Sequence, residues 1–281
     1  MITSKTKRIG ILGWPLEHSL SPVMHNAAFA ALQLDYVYVP LPVRPEKLAQ
    51  AVEGFKAMGF TGVNVTIPHK VAIIPYLDEI DSSAHMVGAV NTVAVRDGKT
   101  IGYNTDAQGF IQSLLAQQVT IAGKTAVLMG AGGAAKAVVS GLLTSGIASV
   151  TIGARSREKA QVFTALFPGN ANLAGCEWHD PVFIKRLQEC DLLINCTPIG
   201  MAAHQEEELP VPWSALTPNT VMCDLIYNPP LTKFLATAQE RGHKIVNGAG
   251  MLIEQGALAF EIWTGKPAPR EIMTEILCKY S

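Results

Sequence analysis

The sequence predicts an α/β protein in two parts: an N-terminal β-α-β-α-β half with a closing hairpin, and a doubly wound parallel-sheet domain. Three observations predict it. Apolar β-branched runs alternate with amphipathic stretches along nearly the whole chain, as in strands joined by crossover helices. The rhythm pauses at a hairpin-like segment, AVNTVAVRDGKTIGYNTD, and restarts near residue 106. Polar clusters follow the ends of the apolar runs, where open α/β sheets bind their ligands.

RIGILG is the first strand, and the loop WPLEHS leads into the helix SPVMHNAAFAALQL, with Ser21 as N-cap and Pro22 at the first helical position. YVYVPLPV is a strand, PEKLAQAVEGFKAMG a helix ended by Gly59, and GVNVTI a strand. HKVAIIPYLDEI and SSAHMVG read as short helices before a hairpin turning at Asp97-Gly98. After the restart, DAQGFIQSLLAQQ is helical and TAVLMGAGGAAKAVVSGLLTSG is strand, glycine loop and helix. SVTIGAR, DLLINCTP, VMCDLIY and KIVNG are strands, with helices REKAQVFTALF and FLATAQERG among them. Two helices, MLIEQGALAFEIWTG and PREIMTEILCKY, follow.

The 281 residues suffice for two ordinary domains, and 48% hydrophobic against 16% charged residues supplies ample core. A net charge of -1 without a basic run excludes a nucleic-acid or anionic-membrane surface. Apolar stretches stay well short of the ~20 residues that span a bilayer. The basic start followed by a short apolar stretch ending at Pro15 lacks a cleavage site, so no signal peptide is expected. Five scattered cysteines with no CxxC pair read as reduced thiols in a cytoplasmic protein, without disulfides or zinc.

GAGGAA at 130–135 fits G-x-G-x-x-G/A through Gly130, Gly132 and Ala135, in a strand–loop–helix context. Such a loop lets a pyrophosphate approach the backbone at a helix N-terminus. An NAD site would place an acid about twenty residues on. Here Ala154 is followed by Arg155, Ser156, Arg157 and Lys159. A guanidinium fork suits a 2′-phosphate, and positive charge at a helix N-terminus opposes the dipole unless an anion binds there. The expectation is a Rossmann-like domain for NADP.

Taken singly, Lys70 reads as a surface lysine opening a short helix, and Asp106 and Ser21 as helix caps. Taken together with the order of motifs they say more. The chain runs GWPLEHSLSP from Gly13, NVTIPHK from Asn64, GAVNT from Gly88, NTD from Asn104, the glycine loop, NCTPIGM from Asn195, DLIYNP from Asp224 and GAGMLIEQ from Gly248. This series resembles the shikimate dehydrogenase family from residue 8 to about 265.

The resemblance implies NADPH-dependent, reversible reduction of 3-dehydroshikimate to shikimate in aromatic amino acid biosynthesis. It implies an α/β substrate-binding, catalytic domain with a mixed sheet at 1–106 plus 248–281, a Rossmann-like doubly wound NADP domain at 107–247, and a cleft between them. It makes Lys70 and Asp106 the catalytic pair, and Ser19 and Ser21 the holders of the substrate carboxylate. Thr66, Lys70, Asn91, Asp106 and Gln255 become ligands of the ring, with Tyr227 nearby. For the cofactor it implies Gly130, Ala131, Gly132, Gly133, Ala134, Ala154, Arg155, Ser156, Lys159, Thr197, Leu225 and Gly248. The partner is a small molecule, and a homodimer is compatible with the reading.

Two positions depart from the family pattern. Ala154 replaces the common asparagine before the arginine, which weakens the expected grip on NADP. Ala107 replaces the usual glycine after NTD and is expected to be helical. The alternatives are a quinate/shikimate dehydrogenase using NAD as well, and a non-catalytic NADP-binding sensor. The paired serines and acid-free ARSREK favour shikimate and NADP, and the intact set of Lys70, Asp106, Gln255 and serines favours an enzyme.

Overall fold

A buried parallel strand is best made of apolar residues on both faces, and TAVLM meets that demand. In the computed structural model, which describes residues 2–201, 204 and 206–280, this run is β7, one of twelve strands among the described residues. Residues 1 and 281, the outer bounds of the expected domains, lie outside the described residues. The chain divides into two compact units. One runs to Gly109 and resumes from Ile253 to Tyr280, and the other is Phe110–Leu252.

In the first unit, β1 (Lys7–Gly13) pairs in parallel with β2 (Tyr36–Pro42) and β3 (Gly62–Val65). β5 (Thr92–Arg96) runs antiparallel to β3 and forms a hairpin with β6 (Lys99–Tyr103), which also pairs with β4 (Glu79–Ile80). The mixed sheet has the order β2-β1-β3-β5-β6-β4. Asp97 and Gly98 at the hairpin turn have φ of 50° and 78°, the left-handed pair that a tight two-residue hairpin needs. Glu79 and Ile80, expected in a helix, form β4 because β6 offers them a pairing edge.

The helices of this unit are α1 (Ser21–Ala31), α2 (Leu48–Ala57), α3 (His69–Ala72), α4 (Ser82–Val87) and the start of α5 (Asp106–Ala116). α10 (Ala249–Thr264) and α11 (Arg270–Tyr280) complete it, α11 packing on α1. The boundaries between units thus fall inside α5 and α10. Ser21 is the first helical residue of α1, with Leu20 at the cap position and no side-chain capping bond. The expected Ser21 cap is therefore corrected. Ala107 is helical, as expected from its side chain.

The second unit is a wholly parallel sheet of order β12-β11-β10-β7-β8-β9. Its strands are β7 (Thr125–Met129), β8 (Ser149–Ala154), β9 (Leu173–Glu177), β10 (Leu192–Asn195), β11 (Val221–Asp224) and β12 (Ile245–Val246). The doubly wound order puts the switch point between β7 and β10. Along β7, Ala126 and Leu128 face one core and Val127 and Met129 the other. Helices α6 (Gly133–Thr144), α7 (Arg157–Thr164), α8 (Pro181–Glu189) and α9 (Lys233–Glu240) connect the strands. The sequence reading leaves β9 and α8 unassigned, although Asp180 caps α8 through the Val182 N–H and Pro181 opens it.

In the first unit, aromatic rings fill the layer between α1, the sheet and α10. Phe29 stacks on Phe260 at 5.2 Å, and His25 stacks on Tyr38 at 4.6 Å with Trp263 5.4 Å away. His25 is fully buried, and loss of hydration pushes its pKa from 6.5 down to about 3. Between those values the unfolded chain binds a proton that the folded chain refuses, so stability falls as pH falls below 6.5. The single ring contributes a slope of about 1.4 kcal/mol per pH unit. Urea titrations at pH 7, 6 and 5 should show His25→Leu losing less stability on acidification than the wild type, by that slope.

Candidate active site

Where a helix begins, its first N–H groups need acceptors. For α5 the acceptor is Asn104, whose Oδ1 takes the N–H groups of Asp106 (3.0 Å) and Ala107 (3.3 Å). Asp106 is thereby relieved of the capping role its position suggests, and its carboxylate serves elsewhere. Oδ2 receives Lys70 Nζ at 2.6 Å and Oδ1 receives Asn91 Nδ2 at 2.9 Å. The carboxylate also lies at a helix N-terminus, where the dipole favours negative charge. Lys70 retains about a third of its side-chain exposure and Asp106 13%, so the pair is partly buried rather than sealed.

Lys70 follows β3 by way of α3, and its carbonyl accepts the Val90 N–H at 2.7 Å. The neighbouring His69, without a role in the sequence reading, is buried with Nε2 2.6 Å from the Val43 carbonyl. It ties the segment after β2 to the base of the Lys70 turn. Asn91 donates as well to Thr105 Oγ1 (2.8 Å) and, at 3.4 Å, to Gln255 Oε1. Lys70, Asn91, Asp106 and Gln255 therefore form one connected group. Thr66 lies at the end of β3 and its carbonyl accepts the His69 N–H at 2.9 Å. Ser21 is buried at the start of α1, and Ser19 is half-buried in the loop before it. Tyr227 belongs to the second unit, where burial raises its phenol pKa.

The reading of single residues passes over Tyr38, Asn64, Thr92, Asn104 and Thr105, all on the same network. A signal was present for most of them. They are polar residues inside or at the ends of apolar strands, in the quoted motifs NVTIPHK, AVNT and NTD.

In the second unit the glycine loop sits at the switch point. Gly130 has φ +110°, and a Cβ there would lie 2.9 Å from Thr197 Cγ2, so both conformation and space require glycine. A Cβ on Gly248 would lie 2.1 Å from the Leu225 carbonyl oxygen. Thr197 and Leu225 are held by Asn195, whose Oδ1 accepts the Thr197 hydroxyl at 2.7 Å and whose carbonyl accepts the Leu225 N–H at 3.2 Å. Asn195 Nδ2 donates to Asp224 Oδ1 at 3.1 Å, and Asp224 Oδ2 accepts from Thr232 at 2.7 Å. Burial raises the Asp224 pKa. The expected cofactor positions Gly130, Thr197, Leu225 and Gly248 thus share one rim.

Gly132 and Gly133 differ from Gly130. Gly132 has φ -100° and ψ -171°, open to any residue, and a Cβ at either position would meet nothing within 4 Å. The fold does not need these glycines. A ligand lying against the backbone would, and α6 begins there without a side-chain cap. Ala131 and Ala134 flank them. Ala154 is buried at the end of β8 and Arg155 is exposed, its guanidinium 5.9 Å from the Trp178 ring centroid and 3.8 Å from Glu207. Ser156 caps α7 by accepting the Lys159 N–H at 3.4 Å, and Arg157 pairs with Asp180 at 2.6 Å. Arg155, in a looser pair with Glu207 than Arg157 makes with Asp180, and the exposed Lys159 are the cations among the described residues best placed to meet a phosphate at this strand end.

A doubly wound unit with a glycine loop at its switch point, in one chain with a unit holding a lysine–aspartate pair in a polar network, defines a nicotinamide-nucleotide oxidoreductase. Residues 11–93 match the shikimate dehydrogenase substrate binding domain, 113–225 shikimate / quinate 5-dehydrogenase, and 248–278 the shikimate 5'-dehydrogenase C-terminal domain. A shikimate dehydrogenase (NADP(+)) of Desulforamulus reducens is 44% identical, over 99% of this chain and 97% of that protein. A shikimate dehydrogenase crystallised with NADP+ is 43% identical, covering 99% and 97% of the two chains with a TM-score of 0.91. The Listeria monocytogenes shikimate 5-dehydrogenase, crystallised with shikimate and NAD, is 37% identical, covering 98% of each chain with a TM-score of 0.92. The chain belongs to the shikimate dehydrogenase family.

Gly132→Ala should leave the melting temperature unchanged or slightly raised, since alanine restricts the unfolded chain. It should raise the KM for NADP by at least ~10-fold, the effect of about 1.4 kcal/mol. Thermal melts and initial rates over a cofactor series check both parts.

Proposed function

We propose that this protein catalyses the NADP-dependent, reversible reduction of 3-dehydroshikimate to shikimate. The observation that carries the reading is the Lys70–Asp106 pair at 2.6 Å, locked to Asn91 and through it to Gln255. Substrate binding is assigned to residues 1–106 with 248–281, and NADP binding to 107–247. NADPH supplies the hydride when bound. Reduction builds negative charge on the ketone oxygen, and a proton must reach it. Lys70 provides positive charge and protons for that oxygen. Asp106 keeps the ammonium aimed and accepts a hydrogen bond from a neighbouring ring hydroxyl. Ser19 and Ser21 donate to the carboxylate, with Thr66, Asn91, Gln255 and Tyr227 bonding the hydroxyls.

For the cofactor, Gly130, Ala131, Gly132, Gly133 and Ala134 would hold the pyrophosphate and Arg155, with Lys159, the 2′-phosphate. Ala154, Ser156, Thr197, Leu225 and Gly248 would line the rest of the dinucleotide. Reduced cysteines support a cytoplasmic enzyme, four of the five being buried and free. No described helix is long and apolar enough to cross a membrane. A homodimer belongs to the same proposal and is checked by sedimentation.

Absorbance at the reduced-nicotinamide band, with shikimate or quinate and NADP or NAD, tests the reading. Turnover should be highest with shikimate and NADP. Absence of turnover with every pair sinks it, and efficient quinate oxidation with NAD replaces it by a quinate dehydrogenase. Lys70→Ala should lower kcat by at least ~100-fold, the lower range of acid–base contributions. A loss of only severalfold would remove Lys70 from the chemistry. Arg155→Ala should raise the KM for NADP by ~10–100-fold, as expected for losing a charge-assisted hydrogen bond. The KM for NAD should stay within about twofold.

A further inference from the structure

Tyr38 lies on β2, and the substrate-site reading assigns it nothing. Its side chain is nonetheless among the most buried in the protein, 2% exposed, and its hydroxyl donates to Asn64 Oδ1 at 2.7 Å. Asn64 is itself buried on β3, a polar residue between Val63 and Val65. Its Nδ2 donates to the Asn91 carbonyl and to Thr92 Oγ1, each at 3.1 Å. Thr92 in turn donates to Asn91 Oδ1 at 3.1 Å, and Asn91 Nδ2 reaches Asp106. The path from the phenol to the carboxylate that holds Lys70 is hydrogen-bonded at every step. Burial keeps the phenol protonated by raising its pKa well above 10.0, with the neighbouring Ser21 hydroxyl acting in the opposite direction. The neutral His25 ring stacks on the phenol from one side at 4.6 Å, nearly parallel at 9°.

We propose that Tyr38 is a positioning residue: through Asn64 it fixes Asn91, and so the Lys70–Asp106 pair, in register with the serine that anchors the substrate. The inference rests on the proposed shikimate dehydrogenase activity. A hydroxyl on an aromatic ring suits the task. The ring is held by packing and has one torsion left for its proton, so the hydrogen bond restrains Asn64 strongly. Without it the Asn64 amide is less restrained, its hold on the Asn91 carbonyl and on Thr92 slackens, and the Thr105 N–H becomes the main restraint on the Asn91 amide that meets Asp106. A misplacement of about an ångström in a reacting group can cost ~100-fold.

The test is Tyr38→Phe, assayed with shikimate and NADP beside the wild type. The expected result is a fall in kcat/KM for shikimate of ~10–100-fold. The KM for NADP should be unchanged. Phe55→Leu, in the core around α2, serves as the control for general loosening of the same unit. At an equal loss of melting temperature it should keep kcat. The double variant Tyr38→Phe with Asn91→Ala should be no worse than about threefold below Asn91→Ala alone, since the two act on one path. Should Tyr38→Phe fail to fold, Asn64→Ser removes the amide while keeping a hydroxyl, and should give the same kinetic split. A Tyr38→Phe enzyme within twofold of wild type, or losses that multiply in the double variant, overturns the inference. A wild type inactive on shikimate overturns the proposed activity instead, and takes the inference with it.

Discussion

A backbone N–H can only donate, and the N–H of Thr105 points at the Asn91 side chain. It takes Asn91 Oδ1 at 2.8 Å, and the Thr92 hydroxyl takes the same oxygen at 3.1 Å. The amide therefore has one orientation, with Nδ2 turned to Asp106 Oδ1. Everything else at the site follows from that constraint. A fixed donor at one carboxylate oxygen leaves the other for Lys70. Asn104 makes this arrangement available by capping α5 itself, so that Asp106 need not turn back to the backbone.

The two units solve their binding problems in different ways. In the second, Asn195 and Asp224 at strand ends tie together the loops after β10 and β11, and β7 between the two cores is apolar from Ala126 to Met129. The loop glycines divide by cause. Gly130 and Gly248 are dictated by neighbours within the fold, whereas Gly132 and Gly133 face open space. Only the second kind carries information about a ligand, and sequence alone cannot separate the two.

Much of this was legible in the sequence, because strand alternation and glycine spacing reflect local physics. The doubly wound order, the hairpin at Asp97-Gly98 and the helical Ala107 follow from period and turn chemistry. β4 and β9 were not legible: the first has two residues and exists by pairing with β6, and the second is a weakly apolar edge strand. At the site, Lys70, Asp106, Asn91 and Gln255 were found through a familiar order of motifs. Asn104 and Asp106 compete for one cap, and their spacing does not decide between them. Tyr38 was lost among the aromatic and apolar residues of β2, since its burial gave no hint that its hydroxyl was in use.

A polar network inside a sheet is costly unless every member is satisfied, and satisfaction is what makes it stiff. Asn64 illustrates the exchange. It accepts from Tyr38 and donates to Asn91 and Thr92, so its buried amide has partners for both oxygen and nitrogen. An apolar residue there would pack as well and hold nothing in direction, because dispersion has no preferred angle. Hydrogen bonds do, and a lysine proposed to meet one oxygen of one substrate needs direction more than it needs added stability. The first unit therefore places its polar residues in β3, β5 and the segment after β6, where rigid strands carry the orientation to Asp106.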